Sequence, residues 1–348
     1  MSLSFPIQPL LTWYQANRKS FPWREEPTPY RVWISEIMLQ QTRIEAALPY
    51  YTRFLEAFPD VRALADADED VLLKHWQGLG YYSRAKNLKK AAQLLCEKHD
   101  GRLPESIKEL RALPGIGDYT AGAIASIAMG LPEPAVDGNV LRVIMRFTAC
   151  SDDVMQTATR VRVTAELRKL YPSGKDAGEL TQALMELGET VCLPGTPHCE
   201  KCPICAQCAA LAQSLTDSLP VRAAPKPRRE EKRTILITTH GGRYALHRRD
   251  SGVLRGMWEP LCLEEHRTPE VLERFFAAHS AHILRIEPLK KARHLFSHIE
   301  WDMCGYLIEC DNPFDDPEYP LVWATPEQIG KRYAIPSAFR AFWDEILP

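Results

Sequence analysis

Apolar residues recur at helical spacing through the first 212 residues, and the period changes after residue 233. Ile7, Leu10, Leu11 and Tyr14 define the core face of an opening helix. Trp33, Ile37 and Gln41 share one face of a helix expected within Tyr30–Thr42. Asp70–Trp76 reads as a short amphipathic helix. Thr120–Met129 is almost entirely small or apolar, so that helix is expected to be buried on most sides, with Gly130 and Pro132 ending it. Val161–Leu170 and Leu180–Val191 complete a mainly helical domain over residues 1–212. Residues 213–232 hold Pro220, Pro225 and Pro227 among five cations and predict a semi-rigid basic connector. Beyond it, Thr234–Thr239 and Arg243–Arg248 read as strands around a Gly241-Gly242 turn, and Trp301–Ile308 as a further strand. Residues 233–348 are therefore expected to form an α+β domain.

The chain has 348 residues, 45% hydrophobic and 25% charged, enough for two domains with their own cores. It has no long uncharged apolar run, and its first residues lack the basic and apolar regions of a secretory signal, so a cytosolic protein is expected. The formal net charge is -2, which confines any nucleic-acid surface to a local patch. Five of the 10 cysteines crowd between Cys192 and Cys208. In a reducing compartment such a group more often holds metal than disulfides. Cys192, Cys199, Cys202 and Cys208 give Cys-x6-Cys-x2-Cys-x5-Cys, a thiolate set that fits either zinc or a [4Fe–4S] cluster. Cys205 is an extra thiol in the same loop and leaves Cys199, Cys202, Cys205 and Cys208 as an alternative ligand set, and the remaining five, Cys96 and Cys150 among them, read as small buried residues.

Several residues carry candidate chemistry. In Leu113-Pro114-Gly115-Ile116-Gly117, two glycines precede the apolar helix, so free backbone N–H groups would suit a phosphate there. Asp137 follows in Val136-Asp137-Gly138-Asn139, at the mouth of a loop. Glu36 and Glu186 are carboxylates among apolar neighbours; for Glu36 such surroundings are expected to keep the carboxyl protonated to higher pH. Gly78–Ala85 combines two glycines, Tyr81, Tyr82 and Arg84, a composition suited to an aromatic wedge and a cation near phosphate. Lys86, Lys89, Lys90 and Lys201 are solvated lysines or phosphate contacts.

The order of these parts resembles the helix-hairpin-helix, Gly/Pro-rich loop and aspartate of the base-excision DNA glycosylase superfamily. Ser35-Glu36-Ile37-Met38-Leu39-Gln40-Gln41-Thr42 is similar to the signature of MutY-type adenine DNA glycosylases. The resemblance extends from Phe21 to about Trp323. It implies a mainly α helix-hairpin-helix glycosylase domain with an iron–sulfur loop, followed by an α+β Nudix-like domain. It also favours [4Fe–4S] over zinc at the four cysteines. The implied activity is monofunctional excision of adenine opposite 8-oxoguanine, and opposite guanine, in base excision repair. Glu36 becomes the acid and Asp137 the anion at the sugar, with Tyr119 and Asn139 beside them. Arg24 and Glu186 fall in the base pocket, Gln41 and Tyr81 in the base stack, and Gly115 and Gly117 at a phosphate. Tyr119 stands where the endonuclease III-like glycosylase/lyases carry a Schiff-base lysine, and is expected instead to bond Asp137. Some relatives carry a lysine where this chain has Leu141 and then Arg142, so a phosphate contact is expected to be lost or moved there. Leu246–Glu259 resembles the start of a Nudix domain, yet no Arg-Glu-x-x-Glu-Glu-x-Gly box follows; Glu264, Glu265 and Glu270 do not fit one. Phe296-Ser297-His298 matches the loop by which this family contacts 8-oxoguanine. The implied partner is double-stranded DNA with an 8-oxoguanine:adenine mispair, met by a monomer in the bacterial cytoplasm and nucleoid, with no membrane. The competing readings are an endonuclease III-like glycosylase/lyase, a non-catalytic iron–sulfur DNA-binding protein and a nucleotide pyrophosphohydrolase.

Overall fold

The computed structural model describes residues 4–224, 227–316 and 320–344. Its contacts divide the chain into two units: residues 1–66 with 87–224, and residues 67–86 with 225–348.

The first unit is helical. The Ile7–Asn17 helix buries Leu10, Leu11 and Tyr14, as its spacing predicts, against the Lys175–Thr190 helix. Leu180, Leu184 and Leu187 from that helix meet Val140, Ile144 and Phe147 of the Gly138–Phe147 helix in one apolar core. The Pro29–Leu39 helix starts on the Thr28 hydroxyl, which accepts from the Arg31 N–H at 3.3 Å, with Pro29 at the first helical position. It ends at Leu39, so Gln41 does not continue the face of Trp33 and Ile37. Gln41 is exposed just beyond the helix, with φ +60. The small-residue run expected as one helix is Asp118–Ala123 followed by a π-helical turn, Ile124–Ala128. Such widened turns concentrate at functional sites. Asp137 then caps the Gly138–Phe147 helix: its Oδ1 accepts from the Val140 N–H at 2.7 Å.

Among the described residues, the second unit is built on a seven-stranded mixed sheet. The strands are β1 (Arg229–His240), β2 (Arg243–Arg248), β3 (Trp258–Glu259), β4 (Leu261–Glu264), β5 (Ile283–Leu295), β6 (Ile299–Cys310) and β7 (Leu321–Ala324). The main order is β3-β2-β1-β6-β5, with β4 paired to β1 and β7 to β2. β1 and β6 run parallel, Ile235 opposite Gly305; the other pairs are antiparallel. Side chains alternate across β1. Ile235 and Ile237 join Trp301 and Met303 beneath Ile329, Phe339 and Phe342 on one face. Leu236 joins Leu261, Leu263 and Ile308 beneath Leu272 and Phe276 of the Pro269–Ala278 helix on the other. The Gly241-Gly242 turn forms as expected, both residues at positive φ.

β1 begins at Arg229, so the end of the expected connector is strand; Pro225 lies outside the described residues. The sequence gives no clear sign of β5. Pro288 and register shifts at Ile283/Arg285 and Leu289/Ala292 interrupt its alternation, which an edge strand tolerates. The helix Glu69–Trp76 belongs to this unit. Lys74 Nζ donates to the carbonyls of Ile329 and Tyr333 at 3.3 Å, and Trp258 Nε1 donates to Asp70 Oδ1 at 3.1 Å.

Candidate active site

Glu36 lies near the end of the Pro29–Leu39 helix, on the side facing the Asp118–Ala123 helix, and is only 7% exposed. Burial, its largest influence, raises its pKa to about 7, and the nearby Asp137 charge adds to this, while the Tyr119 hydrogen bond and Arg24 oppose it. Tyr119 Oη donates to Glu36 Oε2 at 2.5 Å. The expected bond from Tyr119 to Asp137 is therefore replaced by one to Glu36. Each Asp137 oxygen instead accepts one bond from the start of its own helix. Oδ1 holds the Val140 N–H, and Oδ2 accepts from Asn139 Nδ2 at 3.0 Å. Burial also raises the Asp137 pKa, against those two bonds and the Arg142 charge.

Both carboxyls line one cavity of about 240 Å³, with Trp23, Arg24, Tyr119, Asn139, Gln182 and Met185 also in its wall. One expected site residue takes another place. Glu186, 4% exposed, does not line the cavity; it accepts from Arg24 Nη2 at 2.6 Å and so holds the guanidinium at the wall. Arg142 does not face outward to phosphate, and Leu141 beside it is buried. Arg142 Nη2 donates to Asn139 Oδ1 and to the Gly188 carbonyl, both at 2.7 Å, and its Nε to the Cys192 carbonyl at 2.7 Å. A continuous bonded path thus runs from the cysteine loop through Arg142 and Asn139 to Asp137. Gln182 and Glu189, also in the cavity wall, went unrecognised in the sequence. Gln182 sits one turn before Glu186 on the same helix, a spacing that signals a shared face.

This path depends on close helix contact. A Cβ on Gly188 would lie 2.6 Å from the Asn139 Cβ. Gly188→Ala is expected to destabilise the protein by about 1–3 kcal/mol, measured by urea unfolding, and to slow base removal in the fraction that folds. An unaltered midpoint would show that the two helices can part without cost.

Gly115 holds φ +78 with its α-carbon against Asn87, and nothing lies within 4 Å of a Cβ built on Gly117. The helix start is therefore open to an approaching group. Tyr81 is 45% exposed with φ +46, an uncommon backbone for an aromatic residue. Arg84 is not a phosphate contact: it is buried, and Nη2 donates to the carbonyls of Leu79 and Gly80, shaping the loop. Lys86 is likewise engaged, with Glu69 and the Arg255 carbonyl. Phe296-Ser297-His298 forms the tip between β5 and β6, where Tyr81 Oη and Ser297 Oγ are 3.1 Å apart.

Cys192, Cys199, Cys202, Cys205 and Cys208 line one apolar pocket with Val143, Phe147, Leu187 and Ile204. Arg146, buried, donates from Nη1 to Cys192 Sγ at 3.4 Å and to the Leu193 carbonyl, from Nη2 to the Gly195 carbonyl and from Nε to the Leu219 carbonyl. Thiolates in an apolar pocket beside a fixed cation suit an iron–sulfur cluster. Among the described residues no group of three or more His, Cys, Asp or Glu is placed to hold a single metal ion. Of the other cysteines, only Cys262 and Cys310 are buried; Cys96, Cys150 and Cys304 are partly exposed, contrary to expectation. No helix among the described residues is long and apolar enough to cross a membrane.

Comparison with known proteins agrees with this layout. Residues 34–173 match the HhH-GPD superfamily of base excision DNA repair proteins, and residues 233–345 match the NUDIX domain. An adenine DNA glycosylase of Buchnera aphidicola (subsp. Acyrthosiphon pisum) is 32% identical, with 93% of each chain covered. The chain belongs to the adenine DNA glycosylase family. The mouse adenine DNA glycosylase is 32% identical over 92% of this chain and 74% of its own. Family members are hydrolases acting on the N-glycosidic bond, so this chain is an enzyme of that class. Among solved structures, a thermostable thymine-DNA glycosylase superposes with a TM-score of 0.54 at 27% identity, over 60% of this chain and 95% of that one. An endonuclease III bound covalently to DNA shares the fold at a TM-score of 0.51 and 23% identity, over 61% of this chain and 100% of its own.

Proposed function

We propose that this family member excises adenine paired with 8-oxoguanine, and with guanine, by hydrolysis and without cutting the strand. The observation that carries the reading is the placement of Glu36 and Asp137 in one cavity with different surroundings. Adenine leaves poorly as an anion, so it must be protonated; the sugar left behind is cation-like and needs an anion beside it. Glu36, kept protonated by burial, donates to adenine N7. Asp137, held by the Val140 N–H and the Asn139 amide, supplies the negative charge at C1′ or bonds to it transiently. After the base departs, Glu36 is a carboxylate with Tyr119 donating to it, and in that form it takes a proton from the incoming water. Arg24, set by Glu186, and Gln182 line the cavity around the base. Tyr119 cannot form a Schiff base as a lysine would, which argues for a monofunctional enzyme; a borohydride trap on product DNA is expected to capture none.

The target adenine must first leave the stack, which costs a few kcal/mol. Gln41 and Tyr81, exposed on left-handed backbones, are the proposed wedges, and the open start at Gly115–Gly117 the proposed phosphate contact. Ser297 is the proposed contact to 8-oxoguanine, with Phe296 and His298 flanking it. A hydroxyl can accept from N7–H of the oxidised base, where guanine offers only an acceptor. The four cysteines Cys192, Cys199, Cys202 and Cys208 would hold a [4Fe–4S] cluster, whose contribution is to pin the loop that Arg142 and Arg146 bond.

The test is single-turnover adenine release from duplexes with 8-oxoguanine or guanine opposite the adenine. The reading fails if neither duplex loses adenine to the cluster-loaded protein. Ser297→Ala is expected to narrow the preference for the 8-oxoguanine duplex by about fivefold to tenfold, the worth of one hydrogen bond. An unchanged ratio removes Ser297 from recognition.

A further inference from the structure

The hairpin that carries Ser297 stands on a buried charge cluster with no part in the cleavage chemistry. Trp301, at the start of β6, is fully buried. The guanidinium of Arg249 lies 5.1 Å from its ring centre and that of Arg233 5.5 Å. Each cation has its own carboxylate. Arg249 Nη1 donates to Glu259 Oε1 at 2.9 Å, and Arg233 Nη2 donates to Glu231 Oε2 at 2.6 Å. The same Glu231 oxygen accepts from Trp301 Nε1 at 3.0 Å. The Arg249 and Glu259 side chains are only 14% and 2% exposed. Ion pairs this deep add little net stability, because desolvation offsets their attraction, but they fix orientation.

The orientation they fix continues into the reader. Phe296 packs edge-on against Trp301, ring centres 4.9 Å apart at 71°. Its backbone is closed on both sides: the N–H donates to the Ile299 carbonyl at 2.8 Å, and its carbonyl accepts from Arg228 Nε at 2.8 Å. Ser297 is the next residue. A hydrogen bond to a base edge weakens steeply with small errors in distance and angle, so a shift of Trp301 reaches the Ser297 hydroxyl as lost recognition.

We propose that Arg249, paired with Glu259, is a positioning residue for substrate preference, acting through Trp301 and Phe296 on Ser297. This rests on the reading of Ser297 as the 8-oxoguanine contact. Arg249→Met alone would leave the Glu259 carboxylate buried without its cation, so R249M/E259Q is the main variant and R249M the second. Both are made in the full-length, cluster-loaded enzyme, with and without S297A. The readout is the ratio of single-turnover rates on the 8-oxoguanine:adenine and guanine:adenine duplexes, which the folded fraction of a preparation does not alter. R249M/E259Q is expected to lower that ratio by about fivefold to tenfold in the parent background and to leave it unchanged in the S297A background. An equal loss on both duplexes overturns the proposal, since that is the mark of a phosphate contact or of general loosening. A fall of the same size in the S297A background overturns it too. If S297A alone leaves the ratio unchanged, the Ser297 reading has failed; if S297A lowers it and R249M/E259Q does not, only the positioning role has failed.

Discussion

Glu36→Gln is expected to slow adenine release by about a hundredfold or more in single turnover, because the amide has no proton to give to N7. Duplex binding should persist, since Glu36 lies inside the pocket wall. The parent rate should fall as pH rises through about 7, the value to which burial lifts this carboxyl, while Asp137, which must be ionised, limits the rate at the acid end. The resulting bell should lose its alkaline limb in the variant. Stability should move the other way. Because the folded pKa of about 7 lies above the ordinary 4.5, the unfolded chain releases the Glu36 proton first as pH rises, and folding loses stability across that interval. Glu36→Gln removes this cost, so the variant should melt higher than the parent at pH 8 and with no such advantage at pH 4. A variant that releases adenine at the parent rate would sink the acid assignment. One that is slow but no more stable at pH 8 would mean that the parent's Glu36 does not sit as a buried, proton-retaining group.

Asp137→Asn should be nearly as damaging, at about a hundredfold or more, with little loss of stability. Asparagine is as good a helix cap as aspartate, so the bond from Val140 N–H survives. What disappears is the negative charge beside the sugar, felt only as positive charge develops at C1′. The informative comparison is kcat against melting temperature. A large rate loss with a melting point lowered by only a few degrees assigns Asp137 to the chemistry. A rate within about threefold of the parent would make Asp137 a capping residue alone and leave Glu36 without its partner. The bond from Asn139 Nδ2 is given up, because an amide NH2 replaces Oδ2 while the Asn139 oxygen stays on Arg142, and this is the small loss of stability expected.

By itself the sequence determined the helical spacing of Ile7–Tyr14, the glycine pair before a small-residue helix, the cysteine spacing and the change of period after residue 233. These are local patterns, and local patterns survive without knowledge of neighbours. It also marked Glu36, Asp137 and Tyr119 as candidates, because a carboxyl in an apolar run and a phenol in a lysine's place are visible in one dimension. Only the tertiary structure decided which of them touch. Tyr119 bonds Glu36, while Asp137 is held by the Val140 N–H and the Asn139 amide of its own helix. Arg142 and Arg84 read as surface cations, yet both are buried against carbonyls, since an arginine's partners are set by which helix ends and loops pack around it. β5 escaped notice because its register shifts erase the alternation that would have revealed it. The cluster around Trp301 joins residues from three strands and the loop after β2, more than 60 positions apart for Arg233 and Trp301, and such convergence has no signature along the chain.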